Sequence, residues 1–236
     1  NWILIGEINL QMENYFKSAE RGEFFWRRID SLSQTIKIGT ILPHPFGWRT
    51  GVDLDYQHEI FRGLYASIEN RYLLSTYFPL IGTTGFGYVT GKTTPTLIGR
   101  EKGYEKTSYS AFSLFSKKEN INDRYLPTSG NALIINADGG LDGKTVFLNS
   151  GIKFSKIGPI SRNIFYKIRY SANGILYKGA NVPKSRYHRF GGSSTLRGYD
   201  EQYFRATQFQ IPSFELGYNT NRLIQLKCFM DIGSDR

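Results

Sequence analysis

Apolar and polar residues alternate with a period of two along most of this chain, and that rhythm leaves little room for anything but β-strands. Leu4, Gly6, Ile8, Leu10 and Met12 share one face of the first such stretch, and Ile5, Glu7, Asn9, Gln11 and Glu13 the other. Trp48, Thr50, Val52, Leu54 and Tyr56 oppose Arg49, Gly51, Asp53, Asp55 and Gln57. Ile164, Tyr166, Ile168, Tyr170 and Ala172 oppose Phe165, Lys167, Arg169, Ser171 and Asn173. Each stretch runs about nine to eleven residues, the length of a tilted strand crossing a bilayer. Soluble strands average about five or six. One face is apolar and aromatic and the other carries full charges, as in a membrane barrel with a wet interior. Aromatics near the strand ends (Trp2, Tyr15, Phe16, Trp48 and Tyr56) fit interfacial girdles. A soluble sandwich would also alternate, with the charged face in water. Length, repetition and end aromatics favour the barrel.

Composition agrees with that reading. Of the 236 residues, 15% are aromatic and 25 are Gly, which suits strands joined by turns. No apolar run is long enough for a membrane helix. The net charge of +10 first suggests nucleic acid, but the basic residues are dispersed; Arg27-Arg28 and Lys117-Lys118 are the only adjacent pairs. A polar lumen or anionic lipid headgroups account for the charge, so lipid is the expected partner and nucleic acid is not. Cys228 is the single cysteine and forms no intrachain disulfide. About thirteen strands can be counted, separated by turns such as residues 18–22, Pro43 to Gly47, Ile81 to Gly85, Gly99 to Gly103 and Tyr125 to Gly130. Gly139-Gly140 and Asp142-Gly143 read as the end of another. Residues 1–236 read as one all-β domain, an antiparallel up-and-down barrel that is incomplete in this chain.

Catalytic signatures are weak, and no enzyme, metal or cofactor is expected. His44, His58 and His188 lack metal-ligand spacing. Asp53 and Asp55 share a face, which a watery lumen explains more simply than acid–base chemistry. Gly82, Gly85 and Gly87 imitate a phosphate loop without a following helix.

One segment stands apart. Arg189-Phe190-Gly191-Gly192-Ser193-Ser194-Thr195-Leu196-Arg197-Gly198-Tyr199-Asp200 follows a polar run that begins at Lys184. Downstream, parity puts Gln225, Lys227, Phe229, Asp231 and Gly233 on the lumen face, and Leu226, Cys228, Met230 and Ile232 on the other. An unpaired Asp231 inside a barrel is costly. Arg197 is the natural bidentate partner, with Gly198 allowing close approach and Gly233 leaving room opposite it.

These residues carry a resemblance. Gly191-Gly192 to Leu196-Arg197-Gly198-Tyr199 resembles the Arg-Gly-Phe/Tyr motif of the BamA-like outer-membrane assembly barrels, a superfamily that includes TamA and the two-partner-secretion translocators. Phe229-x-Asp231-x-Gly233 resembles its second motif. Asp123 to Gly130 is similar to a characteristic turn, with Ser129 where a basic residue is common. Gly22 to Arg28, with Pro43 to Gly47, resembles the opening strands. The resemblance implies a sixteen-stranded barrel with a long sixth extracellular loop folded into the lumen, its Arg197 on Asp231. It also implies preceding POTRA domains and closing strands, neither seen in this sequence. The function implied is non-enzymatic insertion of other β-barrels into the outer membrane of a Gram-negative bacterium, an organelle outer membrane being the alternative. Unfolded barrel clients, periplasmic chaperones and accessory lipoproteins would be its partners. The first strand would form the seam that templates a client strand through Ile8, Asn9, Leu10 and Gln11. The other readings are a two-partner-secretion pore, an outer-membrane phospholipase and a passive porin.

Overall fold

A computed structural model describes residues 4–15, 17–123, 126–220 and 225–236. It is an antiparallel meander of 13 strands in one sheet. The strands are β1 (Gly6–Glu13), β2 (Arg21–Asp30), β3 (Ser33–Leu42), β4 (Gly51–Phe61), β5 (Tyr65–Phe78), β6 (Gly82–Pro95), β7 (Thr107–Ile121), β8 (Gly130–Asp142), β9 (Thr145–Pro159) and β10 (Ile164–Tyr177), followed by β13 (Gln208–Asn219), β14 (Gln225–Asp231) and β15 (Ser234–Asp235). Between β10 and β13 the chain leaves the sheet, makes a 3-10 turn at Lys184–Arg186, and pairs β11 (His188–Phe190) with β12 (Phe204–Ala206). One short helix, α1 (Leu97–Glu101), caps the β6–β7 connection, where the glycines at 99 and 103 read only as a break.

β14 and β15 are one strand in two pieces. Ser213 faces Asp231 and Phe209 faces Asp235, so both pieces keep one register on β13. The interruption at Ile232 and Gly233 lies opposite Pro212, which has no N–H to give. The Ile232 N–H still donates to the Pro212 carbonyl at 3.1 Å.

Parity holds along the sheet. On β13, Phe209, Ile211, Ser213, Glu215 and Gly217 are buried, while the residues between them are exposed. Ile8, Leu10, Ile38, Ile168 and Phe214 lie exposed on the convex face, as a lipid-facing surface requires. The strands β5 to β10 have 13 to 15 residues, longer than the bilayer alone demands. Two boundaries differ from the sequence reading. Trp48, Arg49 and Thr50 precede β4 rather than starting it. Gly139 and Gly140 lie inside β8, where a Cβ on Gly140 would fall 2.0 Å from the Ser110 carbonyl oxygen, so close strand contact explains this glycine and a turn does not. Of the girdle and turn residues, Trp2, Phe16, Arg124 and Tyr125 lie outside the described residues.

The sheet curls around the β10–β13 loop. That loop touches β4 through Arg189 and β14 through Arg197, so two distant strands meet one insertion. It is the fifth connection on its side of the sheet, after β2–β3, β4–β5, β6–β7 and β8–β9. β1 pairs only with β2 and β14 only with β13 among the described residues.

Candidate functional site

Arg197 enters the lumen from the tip of the loop. Its backbone N–H and its Nε donate to Asp231 Oδ2 at 3.0 and 2.8 Å, and its Nη2 donates to Asp231 Oδ1 at 2.7 Å. Its Nη1 donates to Glu215 Oε2 at 2.8 Å. The guanidinium lies 3.6 Å above the ring of Phe229, which completes the motif's lumen face. One cation thus holds two carboxylates, whose side chains are only 2% and 6% exposed. Arg169 Nη2 stands 3.8 Å from Asp231 and Lys227 Nζ 3.8 Å from Glu215. Fork geometry suits the guanidinium here in a way an ammonium does not.

Leu196 inserts beside this cluster into an apolar core with Phe190, Ala206, Phe209 and Ile211. Gly233 makes room for it: a Cβ there would fall 2.9 Å from Leu196 Cδ2. The space opposite Gly233 therefore belongs to Leu196 and not to Gly198. Gly198 has open space around its missing Cβ, and its requirement is conformational, a φ of +93°. Gly191 and Gly192 also have positive φ, and a side chain on Gly192 would strike the Glu201 carboxylate that accepts from Ser193. Tyr199 is exposed, stacked near Tyr203 and edge-on to Phe204.

Two further polar groups line the same lumen. Arg189 Nη2 donates to Glu59 Oε2 at 2.6 Å and Nη1 to Gln202 at 3.2 Å. Arg189 and Arg205 both stack on Phe61, at 4.5 and 4.6 Å, and Arg205 donates to the Tyr104 hydroxyl. Farther round the wall, Arg71 donates to both oxygens of Asp138 at 3.1 and 3.2 Å, with Ser113 bridging. Sequence alone gives Glu215 and Glu59 no role, and it gives Arg189 only a place at the head of the glycine-rich segment. Parity on β13 and β4 would have turned the two glutamates inward, but only topology supplies their partners. His188 sits on β11 with burial pushing its imidazole below the ordinary 6.5, opposed by a hydrogen bond to the Gly174 backbone. Asp53 and Asp55 face the lumen on β4, and Cys228 is exposed on the convex side of β14. Gly85 and Gly87 are strand residues of β6 and form no anion loop.

Ile8, Asn9, Leu10 and Gln11 lie on β1, at the opposite end of the strand order from the latch strand β14, with one edge on β2. Every residue of β1 is exposed.

The geometry is that of a barrel wall tied to an inserted loop by an Arg-Gly motif and a strand aspartate. A family model described as the Omp85 superfamily domain matches residues 2–236. The chain belongs to the Omp85 superfamily. No curated protein matches it. Among solved structures it is similar to BamA from Haemophilus ducreyi lacking POTRA domains 1-3, with a TM-score of 0.72 at 15% identity over 97% of this chain and 54% of that one. It is also similar to CdiB from Acinetobacter baumannii, with a TM-score of 0.66 at 15% identity over 98% of this chain and 46% of that one. At this identity the likeness is one of fold. The Omp85 chain described here spans about half the length of either structure.

Proposed function

We propose that this Omp85 chain is the barrel part of an outer-membrane protein that inserts other β-barrels, without bond chemistry of its own. The observation that carries the reading is the Arg197 latch, which fixes a long loop inside a curved sheet. An unpaired strand edge in lipid is expensive, so pairing with a client strand is favourable. The membrane would be that of a Gram-negative outer envelope, with POTRA domains, chaperones and lipoproteins delivering clients.

The loop count refines where such a seam would lie. The lumenal loop is the fifth connection on its side, whereas the sixteen-strand pattern makes it the sixth. On that pattern a further strand pairs with the free edge of β1, and the seam moves to that strand. Ile8, Asn9, Leu10 and Gln11 then back the seam and do not form it.

Export of a single partner through the lumen is the second reading, favoured by the likeness to CdiB. Reconstitution separates the two. The full-length protein in liposomes is mixed with an unfolded outer-membrane barrel, and the heat-resistant folded form of that client is followed on gels. Faster client folding than in empty liposomes is expected. No acceleration, together with passage of a soluble partner into the vesicles, would replace insertion by export.

A further inference from the structure

The β11–β12 hairpin has two unlike faces. Arg189 and Arg205 are directly paired across it and point at the β4 wall. Phe190 and Ala206 point at β13, where they pack with Phe209 and Ile211. Phe190 stacks on Phe209 with ring centroids 4.5 Å apart.

The β13 side is dry and doubly held, by that apolar cluster and by the Arg197 fork. The β4 side is held by the two arginines instead, through the Arg189–Glu59 ion pair, the Arg205 hydrogen bond to Tyr104 and their stacking on Phe61. Like charges directly opposite each other on a hairpin repel, and here Arg189 pairs with the Glu59 carboxylate while Arg205 donates to the neutral Tyr104 hydroxyl. Beside them lies a polar cavity of about 190 Å³ lined by Glu59, Glu69, Asn149, Ser185, Arg186 and His188. Asn149 Oδ1, Ser185 Oγ, Arg186 Nε and His188 Nε2 are buried there with no hydrogen-bond partner among the described residues. Polar groups in that position are satisfied by solvent, so parting this interface uncovers these polar groups and the one Phe61 face on which the two guanidiniums stack.

We infer that the hairpin is a hinged plate: it separates from the β4 wall along the Arg189–Glu59 contact and stays seated on β13 and Asp231. Lifting it opens the lumen on the β4 side, whether the barrel inserts or exports. Glu59 and Arg189 are positioning residues in this device, since they set where the plate rests.

Distances between spin labels on the full-length protein in lipid test it, in a Cys228→Ser background. One label pair is Ile60→Cys with Asp200→Cys, across the β4 interface. The other is Phe214→Cys with Asp200→Cys, across the β13 interface. Glu59→Gln should raise the long-distance population of the first pair about tenfold and leave the second pair a single distance. Adding Arg189→Gln removes the uncompensated cation and should restore the short distance. Heat-modifiable gel mobility identifies any variant that fails to fold, and for such a variant the wild-type distributions at low and high salt decide instead, the first pair alone lengthening with salt. A first-pair distance indifferent to Glu59→Gln, to salt, or one that lengthens together with the second would overturn the inference.

Discussion

At the scale of single residues, Arg197 is the most consequential side chain. Arg197→Ala leaves Asp231 and Glu215 buried without their fork. Breaking a buried ion pair from one side costs about 3–5 kcal/mol, so the midpoint of heat-modifiable gel mobility should fall well below that of the native barrel. Arg197→Lys should recover only part of it, because an ammonium cannot bind both carboxylates in the same plane. His188 carries a pH dependence of definite sign. Its imidazole is held below 6.5 inside the fold and recovers its ordinary value when the segment is released. Seating is therefore fully present above about pH 6.5 and is lost as pH falls through the folded value, the proton binding more tightly to the released form. Tryptic cleavage after Lys184 and Arg186, taken relative to an unstructured reference peptide at the same pH, should rise on acidification, and His188→Phe should flatten that response. The Arg197–Asp231 pair was legible in sequence because both ends sit in recognisable motifs. Arg189 and Glu59 lie 130 positions apart in ordinary polar surroundings, and nothing local joins them.

At the scale of the strand, glycine has a use that spacing does not reveal. Gly91 on β6 is covered by the ring of Tyr109 from β7, and a Cβ would stand 2.3 Å from that ring. The ring hydrogen-bonds Glu69 through its hydroxyl and carries the Arg186 guanidinium 3.6 Å above it. Gly91→Val must push the ring away and with it the loop's seat. Overpacking of this kind costs about 1–3 kcal/mol, readable as a lowered gel-mobility midpoint, whereas Gly143→Ala in the open β8–β9 turn should lose less. The strands themselves were legible because alternation depends only on which face meets lipid. Strand ends were less so. Gly139 and Gly140 look the same in sequence whether they end a strand or admit a neighbour, and only the β7 backbone beside Gly140 decides. The break between β14 and β15 likewise originates in Pro212 on another strand.

At the scale of the whole molecule, the two faces of the sheet predict opposite responses to the same substitution. Ile38 projects from the middle of β3 on the convex face, 47% exposed between Phe24 and Tyr56 on its neighbours. Gln57 projects into the lumen from β4, beside Lys37 and Glu69. A lysine at Ile38 would enter hydrocarbon, at about 2–4 kcal/mol near the midplane. A lysine at Gln57 meets water and a carboxylate, and such a change stays within about 0.5 kcal/mol. In a soluble sandwich the order would reverse, because the convex face would be wet and the concave face packed. Folding of the two variants into lipid vesicles, followed by urea titration, measures that order directly. Ile38→Lys less stable than Gln57→Lys places the alternating apolar face in the membrane. The same partition accounts for the +10 charge without a nucleic-acid partner, since Lys37, Arg71, Lys167 and Arg169 line an interior where water and carboxylates receive them.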